Sequence, residues 1–322
     1  MPSRYLTPAE ALEWEQLTQQ HRLLSTGVAL HLDWYPQPSS DCPALVIIHG
    51  GGGHAGLFAR LALAFHHAGY AVAVPDQRGQ GRSDGTRGDF SVGEAVQNIV
   101  DTAAWVRQRT HGPLYLLGSS IGGGLAYAAG AALVQPGLAP AAIACINLYD
   151  FGDPRTGLEF SRFAALARIP GLPRVLRGAA VMLAQAFPRL RLPYRAIADF
   201  SGMLDERDRD AYAAWQNDPH ALRSVTLRAL VSLLNTPPAI PMPANRDLPV
   251  LVINPRRDRM VRPAVTRRSF EQLGGRRAYH EIDYGHFSLQ ADFCARIVAL
   301  AHPWFAYAPA RSASATSHSS GM

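Results

Sequence analysis

The chain has 322 residues, 48% of them apolar, which is enough for one large α/β unit carrying an insertion. Its net charge is +6, yet every basic residue is an arginine, so a phosphate-loop lysine, a pyridoxal Schiff base and a serine–lysine dyad are all excluded. Outside one segment the arginines are mixed with acids, and no DNA- or RNA-binding motif accompanies them, so no nucleic-acid partner is expected.

Residues 1–21 are polar and hold Glu10, Glu13 and Glu15. They lack the basic start and apolar core of a signal peptide, and no run of 18 apolar residues follows that could cross a membrane. Cys42, Cys145 and Cys294 are odd in number and far apart, which fits neither a disulfide framework nor a metal site. A reducing, cytoplasmic setting is expected. Leu30, Leu32 and Trp34 alternate with His31 and Asp33, the pattern of a half-buried antiparallel strand. Short apolar runs then recur at 44–49, 71–75, 114–118, 143–149, 250–254 and 278–282. Between them, Leu57, Leu61 and Phe65 keep helical spacing up to Gly69, and Ser91-Val92-Gly93-Glu94 forms a capping box ahead of Val96, Ile99, Ala103 and Val106. This alternation predicts a mostly parallel sheet with helices on both faces.

The alternation breaks between Asp150 and Asp247, a stretch rich in Arg, Ala, Leu and Pro that reads as several helices without strands. The expected organisation is a core over 1–149 and 248–307, a helical cap over 150–247, and a disordered Ser/Ala-rich tail over 308–322. Within the cap, residues 160–198 carry seven arginines and no acid, and the arginines flank an apolar stretch at 178–187. That pattern fits either a packed cap helix with solvated arginines or a segment lying on anionic lipid.

The chemistry centres on Gly118-Ser119-Ser120-Ile121-Gly122, which follows the run at 114–117 and precedes an Ala-rich helical stretch. Strand, Gly-x-Ser-x-Gly turn and helix make a nucleophile elbow, with Ser120 lifted above the sheet end. A serine hydroxyl needs an adjacent base, and His286 follows the last predicted strand, where loops at the carboxyl ends of the strands line the site. A carboxylate must orient the imidazole. Asp258 lies after the strand at 250–254 and gives the chain order Ser, Asp, His; Asp150 is the alternative, while Asp283 is too near His286 in sequence. Backbone N–H groups of Ile121 and Gly51 are the candidate oxyanion donors. A competing reading exists, because Gly51-Gly52-Gly53-His54-Ala55-Gly56 with Asp76 twenty residues on matches a dinucleotide fingerprint. It leaves Ser120, Asp258 and His286 unexplained, so no cofactor and no metal are expected.

These motifs, with Pro75-Asp76-Gln77-Arg78-Gly79-Gln80-Gly81-Arg82-Ser83, Tyr284-Gly285-His286 and Asn217-Asp218-Pro219, resemble the α/β-hydrolase superfamily over residues 25–305. More narrowly they resemble its monoacylglycerol lipase/lysophospholipase branch, grouped with serine aminopeptidase-like hydrolases. The resemblance implies a Ser120–Asp258–His286 triad, a Gly51/Ile121 oxyanion hole, an acyl-enzyme route and a small or lipid-like ester substrate. Gln80 departs from the histidine common in that loop, and the four glycines at 50–53 are a longer run than is usual, resembling esterases that accept bulky alcohols. His54 is placed at the pocket mouth or in loop packing. An aminopeptidase would need a cap acid for the substrate ammonium, with Glu159, Asp205 and Glu206 as candidates. An acyltransferase, a lactonase or a non-catalytic receptor could use the same fold, and the oligomeric state is left open.

Overall fold

The computed structural model describes residues 4–134, 137–159, 161, 163–197 and 200–307; the predicted tail at 308–322 lies outside the described residues. Eight strands form one sheet: β1 (Gln19–Ser25), β2 (Val28–Tyr35), β3 (Ala44–Ile48), β4 (Ala71–Pro75), β5 (Leu114–Ser119), β6 (Ala142–Ile146), β9 (Val250–Pro255) and β10 (Arg277–Ile282). Their spatial order is β1-β2-β4-β3-β5-β6-β9-β10. The first two strands are antiparallel to their neighbours and the other six are parallel. The central strands β3, β4, β5 and β6 are buried along almost their whole length, as expected of a sheet covered on both faces.

One face carries α1 (Pro8–Leu17), α2 (Ala59–His67) and α12 (Ala291–Ala306); the other carries α3 (Val92–Arg107), α4 (Ile121–Ala132) and α11 (Pro263–Gln272). The capping box at Ser91 and Glu94 starts α3 as its sequence requires. Between β6 and β9 come α5 (Thr156–Glu159), α6 (Leu172–Ala186), β7 (Arg191–Pro193), α7 (Tyr194–Ile197), α8 (Phe200–Met203), α9 (Arg209–Gln216), β8 (Ser224–Thr226) and α10 (Leu227–Asn235).

Four points differ from the sequence reading. The inserted segment is not purely helical, because β7 and β8 pair antiparallel; Arg191 Nη2 also donates to Ser224 Oγ (2.9 Å) across them. β1 went unread because its residues are mostly exposed at the sheet edge and show no apolar alternation. β2 is buried on both faces rather than half-buried: His31 Nε2 pairs with Asp33 Oδ1 at 2.8 Å, and Trp14 Nε1 of α1 donates to Tyr35 Oη. The run at 143–149 also stops being strand at Ile146. Asn147 takes φ 66°, a left-handed conformation that turns the chain into the site.

Candidate active site

Ser120 sits between β5 and α4 at φ 58°, ψ −130°, a strained conformation for a residue with a side chain. Small neighbours make the turn possible. A Cβ on Gly118 would lie 1.9 Å from the Gly122 carbonyl oxygen, and one on Gly122 would lie 2.2 Å from that of Ile48. The Ser120 N–H donates to Ile146 O on β6 (2.8 Å), which ties the elbow to the neighbouring strand.

Ser120 and His286 line the same cavity. His286 Nδ1 donates to Asp258 Oδ2 at 2.7 Å, which leaves Nε2 as the unprotonated nitrogen of the neutral ring. Asp258 is buried and fully engaged. Its Oδ1 accepts from the N–H groups of Met260 (2.9 Å) and Val261 (2.7 Å), and Asn147 Nδ2 donates to Oδ2 at 3.3 Å. Burial acts to depress the His286 pKa, but the charge and hydrogen bond of Asp258, joined by the charge of Asp208, outweigh it and raise the group above its ordinary value. No direct hydrogen bond joins Ser120 to His286 among the described residues, and such contacts commonly tighten only around substrate. Asp150 turns away and accepts from Gly152 N–H (2.7 Å), while the exposed Asp283 pairs with Arg256 and Arg257.

The glycine loop after β3 faces the elbow. Gly51 packs against Ile121, and neither N–H meets an acceptor among the described residues. Two anchors hold this loop. His49 is buried, and burial lowers its pKa; the Gln77 N–H donates to Nε2 (3.1 Å), so Nδ1–H donates to Gly50 O (2.9 Å). From the inserted segment, Trp215 Nε1 donates to Gly52 O (2.9 Å) and Leu222 N–H reaches the same oxygen at 3.3 Å. Asp76, the acid of the dinucleotide reading, spends its carboxylate on backbone: Oδ1 accepts from Ala55 N–H (2.6 Å) and Oδ2 from Arg82 N–H (2.7 Å).

His54 is buried in loop packing, with Nε2 3.0 Å from Asp218 Oδ2. The same carboxylate accepts from Tyr5 Oη (2.9 Å) and His220 N–H (2.8 Å). Burial would raise Asp218, but the hydrogen bond and charge of His54 reverse this and hold it well below the carboxylate range. The cluster joins the N-terminal segment, the glycine loop and the insertion. The candidate ammonium-binding acids are elsewhere: Glu159 pairs with Arg268, Asp205 with Arg257 (3.3 Å), and exposed Glu206 lies 3.8 Å from Arg209.

Sequence reasoning missed Asn147, Tyr149, Asp208 and Trp215. Tyr149 is buried, its phenol pushed far up by burial and by Asp258, with the Ser120 side chain as hydrogen-bond partner. Asp208 packs against Gly285, accepts from Ser288 Oγ (3.2 Å), and is raised by its burial. Only Trp215 carried a signal, its place three residues before Asp218 of the Asn-Asp-Pro motif.

The strand order, the positive-φ serine between β5 and α4, and the histidine after the last strand define an α/β-hydrolase. A family model described as "Serine aminopeptidase, S33" matches residues 40–286, and the chain belongs to that family. A monoacylglycerol lipase from Mycolicibacterium smegmatis is 28% identical over 251 residues, covering 75% of this chain and 79% of the relative. Among solved structures, the Paleococcus ferrophilus monoacylglycerol lipase aligns at TM-score 0.64 with 19% identity, over 89% of this chain and 98% of that one. A soluble variant of the Saccharomyces cerevisiae monoglyceride lipase aligns at 0.68 with 16% identity, over 90% and 94%. The chain is thus a hydrolase of the lipase/esterase-like kind, and no helix among the described residues is long and apolar enough to cross a membrane.

Proposed function

We propose that this protein hydrolyses carboxylic esters through an acyl-enzyme intermediate. One observation carries the reading: a single cavity is lined by a serine held at φ 58° and by a histidine bonded through Nδ1 to a buried carboxylate. Ser120 Oγ attacks the ester carbonyl carbon while His286 Nε2 takes its proton. Asp258 keeps the ring in the right tautomer and stabilises the cation that forms. The Gly51 and Ile121 N–H groups hold the oxyanion. Collapse of the intermediate breaks the ester bond, and His286 protonates the departing alcohol. A water, deprotonated by His286, then releases the acid and restores Ser120.

The cavity walls include Leu57, Phe58, Leu61, Ile146, Phe287 and Phe293, which suit an apolar acyl group. With the named relatives, this favours monoacylglycerol-, lysophospholipid- or small-ester-like substrates. Segment 150–247 acts as a cap that reaches the cavity through Trp215 and restricts water. The free cysteines fit a cytoplasmic setting. The three acids named for an ammonium, Glu159, Asp205 and Glu206, each pair with an arginine, which weakens the aminopeptidase reading.

The test is a panel of esters graded in acyl length and alcohol bulk, with products identified. Turnover of p-nitrophenyl butyrate and release of free acid support the reading. Transfer of the acyl group to added alcohol, or selective opening of lactones, would replace it with an acyltransferase or lactonase. Ligand binding without turnover would make the protein a receptor.

A further inference from the structure

Eight of the twelve large apolar side chains that stand exposed among the described residues fall between Phe163 and Leu190. Helix α6 accounts for the densest part. Its one buried residue is Pro173, and it packs on α10 through the face that carries Val181 and Ala184. Val175, Ala179, Met182 and Ala186 recur at three- and four-residue spacing on the opposite face, beside Leu176 and Leu183. Val175 is 67% exposed, Met182 68%, and Phe187 just past the helix end 59%. A helix apolar on two opposite faces buries only one of them here. Contiguous exposed apolar surface of this kind marks an interaction site rather than ordinary scatter.

The charge around that face selects the occupant. Arg168, Arg174, Arg189, Arg191 and Arg195 lie in the same segment, and none has a carboxylate partner among the described residues; Arg177 is on the α10 side, donating to Gly152 O. A protein partner of ordinary composition would not call for this one-signed rim, whereas a bilayer of anionic phospholipid offers acyl chains to the apolar face and phosphates to the guanidinium groups. The long arginine stems can lie along the apolar surface while their heads reach the phosphate level. The chain leads from residues 187–190 through β7 to Tyr194, which packs against Gly51 and Gly52.

We propose that α6 and residues 187–190 dock this protein on anionic lipid bilayers, with the apolar face of α6 inserted among the acyl chains and the arginines at the head groups. The cavity that holds Ser120 is then presented to the membrane surface from which an amphiphilic ester would be drawn.

Co-sedimentation of the full chain with phosphatidylcholine vesicles carrying increasing phosphatidylglycerol tests this without relying on activity. Binding should rise with the phosphatidylglycerol fraction and fall as salt shortens the screening length. Each arginine near the surface is worth about fivefold in affinity, so Arg174→Glu/Arg189→Glu should bind about 25-fold more weakly or worse. Met182→Ser/Phe187→Ser should also lose binding, and both variants should keep the parent rate on a water-soluble ester. Absence of binding at low salt, or binding indifferent to phosphatidylglycerol, would overturn the proposal. So would a salt-insensitive dimer in light scattering that Met182→Ser/Phe187→Ser dissolves, since the face would then belong to a second copy. Failure of ester turnover would leave the vesicle result standing and would count against the proposed function alone.

Discussion

Gly122→Ala is the sharpest probe of the elbow. The added Cβ would sit 2.2 Å from Ile48 O and 2.7 Å from His49 O, both backbone atoms of β3 and its exit that cannot swing aside. Carbon contacts of this kind stay beyond about 3.0 Å, so the start of α4 must back away from β3 by at least about 0.8 Å. Ser120 and the Ile121 N–H precede Gly122 directly and would move with it, while Gly51, on the β3 side, would not. The proposed nucleophile and one proposed oxyanion donor thus separate from the other donor. Misplacement near 1 Å costs about 100-fold in rate, and overpacking costs about 1–3 kcal/mol of stability. The assay is kcat/KM on p-nitrophenyl butyrate, the rate of fluorophosphonate labelling and Tm on one preparation. Gly178→Ala is the control: it lies inside α6 with nothing within 4 Å of its Cβ, so it should leave the rate alone and gain up to about 1 kcal/mol. If Gly122→Ala turns over within threefold of the parent, the rigid-elbow reasoning is wrong.

Ser120→Ala should abolish hydrolysis and fluorophosphonate labelling with Tm retained, a loss on the order of 10⁶ in kcat; labelling that persists at another serine would move the nucleophile elsewhere. Asp258→Asn should cost about 10⁴ in kcat, because tautomer control is lost while the base remains, and Asp150→Asn should stay near parent. The proposed mechanism needs neutral His286, so kcat/KM should rise with pH through a value above the ordinary histidine pKa and then level off. Asp208→Asn removes one of the two charges that raise His286, so that limb should move to lower pH; an unmoved limb would make Asp208 purely structural. Trp215→Phe keeps the ring packing with Phe200, Tyr212 and Phe287 but deletes the bond to Gly52 O. It should lower kcat by about fivefold to tenfold with KM little changed, the worth of one buried hydrogen bond; a change in KM alone would remove Trp215 from control of the loop.

What was readable in the sequence and what was not divides along a physical line. Ser120, the glycine loop, Asp258 and His286 each stand at the end of a strand, and a strand end is local information: apolar run, then turn residues. The parallel sheet does the rest, since its topology carries all four loops to one edge. Asn147 and Tyr149 were hidden by their own run. Residues 143–149 read as one strand, and nothing local announces that Asn147 adopts φ 66° and ends it. Asp208 and Trp215 were hidden for a different reason. They reach the site only because the insertion folds back over it, and the pairing of β7 with β8 that shapes this return involves three residues on each side, too short for a periodic signal. The residues so placed are those that tune the others: Asp208 adds its charge beside His286, and Trp215 holds the carbonyl of Gly52, the residue after Gly51. A change in the segment whose sequence reveals least can therefore alter rate and pH profile without touching Ser120, Asp258 or His286.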